Sequence, residues 1–318
     1  ADTYAGSTAV TAGTLATTGD SRLTSSSGVT VSSGATLSLG GNETINTLSN
    51  GGTVTLGGVL TTGTDNASNT LGGTVSGTGS LTKSGTGTLT LASGGTFSYT
   101  GGTTVNAGTL LYGAANRLAD SGAVTVAGGT LNLGGYADTV GVVTLSSGTI
   151  TNGTLTGSSY GLQAGTVSAV LAGSGAVTKS TAGSVTLSGA NTYTGGTSIT
   201  GGTLVLGASN VLADSGAVSL SSGTTLDATG RTDTIGALSV DSATVTGGTL
   251  TASSISATGG TISSVLAGSG ALTKTGVGTL TLSGANTYAG GTTVSAGTLA
   301  GDATSLQGAI LNNAAVTF

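Results

Sequence analysis

The property that most constrains this chain is self-similarity with a period of about 95 residues, since a repeated unit decides an architecture before any motif is weighed. Three segments align: GTGSLTKSGTGTLTLASGGTFSYTGGTTVNAGTL (77–110), GSGAVTKSTAGSVTLSGANTYTGGTSITGGTL (173–204) and GSGALTKTGVGTLTLSGANTYAGGTTVSAGTL (268–299). Their lysines, Lys83, Lys179 and Lys274, fall at steps of 96 and 95 residues, and their tyrosines, Tyr99, Tyr193 and Tyr288, at steps of 94 and 95. The register continues outside them. Residues 118–126 (LADSGAVTV) match 212–220 (LADSGAVSL), and Glu43, Asp138 and Asp233 are spaced by 95, as are Thr44, Thr139 and Thr234. The first residues, Tyr4 to Leu15, repeat the tyrosine segment, with Tyr4 lying 95 residues before Tyr99. The expectation is one solenoid over residues 1–318, made of about three such super-repeats and beginning and ending inside one.

A unit of this length is too long for one turn of a solenoid. Within it, pieces such as Gly87-Thr88-Leu89-Thr90-Leu91, Gly102-Thr103-Thr104-Val105 and Gly108-Thr109-Leu110-Leu111 alternate apolar residues with Thr, the period of a half-buried strand. Gly-Gly, Ser-Gly and Asn-Gly pairs punctuate them where turns need positive φ. With 62 glycines and no sustained 3.6-residue period, helix is excluded and the fold class is all-β. A Gly/Ser/Thr-rich chain can be disordered, but low charge and regular Val, Leu and Ile alternation argue for a packed interior. Strands of three to five residues and nine aromatics (seven Tyr, two Phe) suit neither a sandwich nor a propeller. They suit a narrow coil stacked on copies of itself, with coils of roughly 20–24 residues at about 4.8 Å spacing, four or five to each unit.

Few residues are available for chemistry. There is no His and no Cys, so a His-based triad, thiolate chemistry and His- or Cys-built metal sites lack their parts. Paired carboxylates remain, and the densest acidic stretch is Asp227, Asp233 and Asp241 with Arg231 among them. Asp233, however, recurs as Glu43 and Asp138, so these three read as solvated turn residues that hinder edge pairing. Lys83, Lys179 and Lys274 read as solvated strand ends rather than a cationic row for an anionic glycan. Tyr99, Tyr193 and Tyr288 read as large side chains closing a coil corner beside Gly-Gly rather than as glycan platforms. The run Gly268 to Lys274 lacks the spacing of a phosphate loop. No catalytic, cofactor-binding or metal-ligating residue is assigned. Six basic against 11 acidic residues exclude a nucleic-acid partner, and no apolar run reaches the length of a membrane-spanning helix. Residues 1–20 carry no basic stretch leading into an apolar core, so no signal peptide is read there.

The pattern G-x-G-x-[LV]-T-K, then G-[ST]-[LV]-T-L-S-G-A-N-T-Y-x-G-G-T-[ST]-[VI], then G-T-L resembles the passenger-associated transport repeat of autotransporters, also described as the autotransporter-associated β-strand repeat. Gly268 to Leu299 is the cleanest copy and Gly173 to Leu204 is close, while Gly77 to Leu110 departs by carrying Phe97-Ser98-Tyr99 where the others have Asn-Thr-Tyr. The tail from Gly301 to Phe318 is similar to the stretch that follows this repeat in such passengers. Recognisable copies cover about a third of the chain. The resemblance implies a right-handed parallel β-helix, exported across the outer membrane of a Gram-negative bacterium through the translocator barrel of its own precursor and displayed extracellularly. The absence of cysteine suits a chain that threads such a barrel unfolded. Two Phe and seven Tyr cannot furnish the aromatic girdles of a barrel, so these residues read as passenger alone.

The expected function is a structural stalk or spacer of a surface adhesin, with no enzyme activity and no cofactor. Its expected partners are a second copy of itself along its length, or a glycan or protein on a host or neighbouring cell. The alternative is a polysaccharide-active β-helix enzyme using paired carboxylates. A third reading, ice binding through arrays such as Thr86, Thr88 and Thr90, needs Thr-x-Thr in consecutive coils, and the sequence has such triplets only sporadically.

Overall fold

The computed structural model describes residues 5–23 and 26–318, so Tyr4 lies outside the described residues. All regular structure among them is β-strand. The chain forms two compact units, one ending at Ser158 and the other running from Ser159 to Phe318.

In the first unit a coil is three short strands joined at glycine-bearing corners, for example Val59–Thr62, Asn69–Leu71 and Thr74–Gly77. Each strand lies parallel to its counterpart one coil away: Leu60 beside Leu81, Leu71 beside Leu91, Val75 beside Val54. The period-2 alternation sets the faces. Leu60, Leu81, Val105 and Val126 are fully buried, while Thr61, Thr82, Thr104 and Thr125 between them are half-exposed. Burying one such aliphatic side chain contributes about 1.5–3 kcal/mol, so stability builds with each stacked coil rather than in one central core.

In the second unit the inward ladder Val177, Thr197, Val218, Leu238, Ile255, Leu272 advances one 95-residue repeat in five pairings. The super-repeat is therefore five coils. Coil lengths run from 16 to 22 residues: Thr249 pairs with Val265, 16 residues on, while the advances from Val177 to Thr197 (20) and from Thr74 to Thr96 (22) fall within the expected 20–24. The difference lies at the corners. Where strands such as Thr232–Thr246 and Thr249–Ile262 run on around a bend through a register shift at Val240 and Asp241, no separate turn residues are spent.

Close stacking explains the glycine content at specific corners. A Cβ on Gly79 would sit 1.9 Å from the Gly58 carbonyl oxygen in the preceding coil, and one on Gly73 would sit 2.0 Å from that of Gly52. At these positions the backbones of successive coils touch.

Candidate functional site

The residues singled out in the sequence are brought inside rather than outside. Lys83, Lys179 and Lys274 are fully buried, which corrects the expectation of solvated strand ends. Each follows an inward aliphatic by two residues (Leu81, Val177, Leu272), so strand alternation points it at the core. The ammonium is held by neutral carbonyls at a glycine turn. Lys274 Nζ donates to Thr275 O (2.6 Å) and Gly276 O (2.8 Å) in its own coil and to Ala296 O (3.0 Å) in the next. Lys83 Nζ donates to Ser84 O, to Gly85 O (2.8 Å) and to Ala107 O (3.4 Å), and Lys179 Nζ to Thr181 O and Gly201 O (2.8 Å). Burial lowers the pKa of all three; at Lys83 the negative charge of Asp65 opposes that shift.

Glu43, Asp138 and Asp233 are likewise buried, each about 2 % exposed, and not solvated turn residues. Their carboxylates fill a backbone cradle in the preceding coil. Ser21, Asn116 and Asn210 adopt left-handed φ of 57°, 53° and 55°, which turns the next two N–H groups to one side, as in an anion-binding nest. Arg22 N and Leu23 N donate to Glu43 at 2.9 Å each. Arg117 N (3.2 Å) and Leu118 N (3.0 Å) donate to Asp138 Oδ2, and Val211 N (2.9 Å) and Leu212 N (3.1 Å) to Asp233 Oδ2. The other oxygen of Asp233 is buried without a hydrogen bond. Burial outweighs the backbone donors and raises the pKa of both Asp138 and Asp233.

Asn191 and Asn286, not singled out in the sequence, span three coils. Asn191 Oδ1 accepts from Leu171 N (2.8 Å) in the preceding coil while Nδ2 donates to Val211 O (2.7 Å) in the following one. Asn286 does the same between Leu266 N (2.8 Å) and Ser305 O (2.7 Å). In the copy at 77–110 Phe97 stands at this position, and Arg117 follows it at that of Val211. The Arg117 guanidinium lies 5.7 Å over the Phe97 ring and donates to Ala92 O (3.0 Å) and Gly95 O (2.8 Å). The three tyrosines close a corner as expected: they are buried, and their hydroxyls meet Thr103, Thr197 and Thr292 at 2.6, 2.5 and 2.7 Å.

The acidic stretch does not converge. Asp233 faces the core, Asp227 Oδ1 accepts from Thr229 N at 2.9 Å in its own turn, and the exposed Asp241 accepts from the Thr258 hydroxyl at 2.6 Å. A shallow depression of about 390 Å³ nearby is lined by Asn191, Tyr193, Asn210 and Asp214, and by none of these three aspartates. Among the described residues, no three His, Cys, Asp or Glu side chains are placed to hold a metal ion.

Outside, the register makes continuous hydroxyl columns that the sequence only hinted at. Thr44, Thr61, Thr82, Thr104, Thr125 and Thr144 follow one another along the first unit. A second column there is Thr14, Thr36, Thr53, Thr74 and Thr96. In the second unit Thr178, Ser198, Ser219, Ser239, Ser256, Thr273 and Thr293 do the same. Paired Thr-x-Thr columns remain sporadic: in the second of these faces, Thr53 and Thr55 form the triplet, while Thr14 is partnered by Ala16 and Thr36 by Ser38.

The profile of the passenger-associated-transport-repeat matches residues 1–16, 81–111, 177–206 and 272–300. No curated protein and no solved structure matches the chain. Each of the last three matched stretches begins within the strand that carries the buried lysine and runs through the tyrosine corner. On a parallel β-solenoid with five coils to the repeat, the chain carries four copies of the passenger repeat of autotransporters.

Proposed function

We propose that this chain is a stalk segment of a cell-surface autotransporter adhesin, holding a distal part of its precursor away from the cell. The observation that carries the reading is the division of the coil. The buried lysine, carboxylate and asparagine of each repeat are engaged by backbone of their own or adjacent coils, while the outward columns are Thr and Ser. Such a build is extendable by whole repeats without disturbing its neighbours. The four transport repeats support export and display. Fusing the chain between a signal peptide and a translocator barrel in a Gram-negative host tests this. Proteinase K added to intact cells is expected to remove the chain; retention in the periplasm would refute it.

Lengthwise self-association is a second role favoured by the hydroxyl columns. A flat row of Thr at about 4.8 Å spacing presents alternating donors and acceptors to an identical row. The expected result is a concentration-dependent dimer in sedimentation velocity that is abolished by Thr61→Glu, Thr82→Glu and Thr104→Glu together. A monomer at all concentrations leaves the spacer role alone. Release of reducing ends from acidic polysaccharide would instead favour the carboxylate enzyme.

A further inference from the structure

The coils of this chain are close copies in length and pattern, and their inward ladders of Val, Leu and Ile would pack on one another in many orders. A skipped coil, looped out as some 20 residues, forfeits its own apolar burial, yet the coils on either side of it still meet along matching Val, Leu and Ile. Ladders of this kind specify register weakly. Something else has to fix which coil stacks on which.

The nest and carboxylate pairs have the needed selectivity. A nest occurs at Ser21, Asn116 and Asn210, where a left-handed residue precedes two converging N–H groups. The carboxylate that fills it always comes from the next coil: Glu43, Asp138 or Asp233. Each pair occurs once per repeat, so a carboxylate displaced by one coil does not meet the nest it fills in the correct stack. A slip by one coil takes the carboxylate from its nest and leaves two N–H groups without an acceptor, both of them buried at Val211 and Leu212, and a buried charge without a partner is destabilising by several kcal/mol. The copies also vary in concert rather than singly. Where Phe97 replaces the asparagine of later repeats, Arg117 replaces the valine beside the nest, and its guanidinium ties the coils through Ala92 and Gly95.

We infer that the nest and carboxylate pair is a register key, which admits the correct following coil and rejects the others as the solenoid grows. A slip by a whole repeat is not barred by the key, since it brings an equivalent pair into place; it loops out 95 residues instead.

The chain has no cysteine of its own, so engineered pairs report stacking order cleanly. Ser219 and Ser239 are register partners, as are Ser198 and Ser219. Ser198 and Ser239 are thus two coils apart, about 9.6 Å at sheet spacing and beyond the reach of a disulfide. In the full chain refolded from urea and then oxidised, Ser219→Cys with Ser239→Cys is expected to cross-link, and Ser198→Cys with Ser239→Cys is not. Adding Asp233→Leu is expected to raise the skipped-coil cross-link at least tenfold, and Asp233→Glu to leave it at the parent level, since Glu43 fills the first nest. A folded Asp233→Leu chain with no skipped-coil cross-link overturns the inference. If that variant gives no β circular dichroism, Asp233→Ala, which also removes the acceptor, is read in its place: a skipped-coil yield above the parent supports the key, and a yield at the parent level overturns it. The readout is independent of export and self-association, so it fails or stands apart from the stalk reading.

Discussion

Gly79 is a position where the stacked coils leave no room, and Gly79→Ala converts that into a measurable loss. A Cβ there would lie 1.9 Å from Gly58 O and 2.8 Å from Leu56 Cβ, where ordinary contact begins at 3.4 Å. Relieving the first overlap means moving the preceding coil by about 1.5 Å, a large step for a close-packed interior. Two backbone bonds span this junction, Gly79 N to Leu56 O (2.8 Å) and Ser80 N to Gly58 O (3.2 Å), and Gly101 N to Gly79 O (3.1 Å) ties the same corner to the following coil. Stretching the two past bonding range at about 0.5–1.5 kcal/mol each, with part of the burial penalty added where a group is left without a partner, gives a local loss of about 2–4 kcal/mol. Solenoids unfold in segments rather than all at once, so the assay is native-state hydrogen exchange read at the Gly79, Ser80 and Gly101 amides. Three kcal/mol corresponds to more than about 100-fold faster exchange at these amides. Gly94→Ala is the control: nothing lies within 4 Å of its Cβ, and it is expected to be neutral or stabilising by up to about 1 kcal/mol. Exchange in Gly79→Ala within threefold of the parent would refute the claim that coil backbones touch at this corner.

Asn191→Ala removes the partner of a buried N–H and a buried C=O at once, for an expected loss of about 2–4 kcal/mol, read as faster exchange at the Leu171 amide. Burial raises Asp138 and Asp233 above the usual carboxylate range, so the native state takes up their protons before the unfolded chain does. These two groups therefore add stability as pH falls through their raised values toward 3.8, a gain complete below it, and urea melts of Asp138→Asn with Asp233→Asn are expected to lack that rise. Asp302 has the opposite sign: its carboxyl is held down at about 2, chiefly by the Thr304 hydroxyl and the Ser305 N–H, so its contribution is present above 3.8 and is lost as pH falls toward 2. Burial pushes Tyr193 up to about 12. Stability should fall by about 1.4 kcal/mol per pH unit between 10 and 12 on account of this one phenol, and Tyr193→Phe should flatten the alkaline limb of the melting curve.

The repeat, the all-β class and the coil stack were legible because period-2 alternation and glycine punctuation act within a few residues. Coils of 20–22 residues match the expected length, while the 16- and 17-residue ones were not foreseen because bends such as that at Val240 and Asp241 spend no glycine pair. The buried polar groups were misread by residue type, since lysine and aspartate are rarely buried. The local signal was nevertheless present. Lys83 lies two residues after Leu81, Asp233 two before Ile235 and Glu43 two before Ile45, so strict alternation puts each on the core side. What no local pattern contains is the partner. The nest that receives Asp233 lies at Val211 and Leu212, more than 20 residues away, and the left-handed φ at Asn210 that opens it is set by the turn. The Thr columns were illegible for the same reason, since a column exists only once the register is known.

Buried lysine and buried carboxylate look like two halves of an ion pair, yet in each repeat both are met by neutral backbone, and this separates their energetics. Removing a lysine leaves carbonyls short of a donor, and a carbonyl with two lone pairs tolerates this better than an N–H tolerates losing its acceptor. It also removes the burial penalty of an ammonium, which is several kcal/mol. Lys179→Met keeps the stem and its contacts, releases Thr181 O and Gly201 O, and is expected to lie within about 1 kcal/mol of the parent or above it, as when buried ions elsewhere give way to apolar residues. Asp233→Leu strands Val211 N and Leu212 N and is expected to lose about 2–6 kcal/mol. Hydrogen exchange at the Gly201 and Val211 amides ranks the two. A larger loss for the lysine than for the aspartate would mean that the carbonyl cage, and not the nest, holds successive coils together.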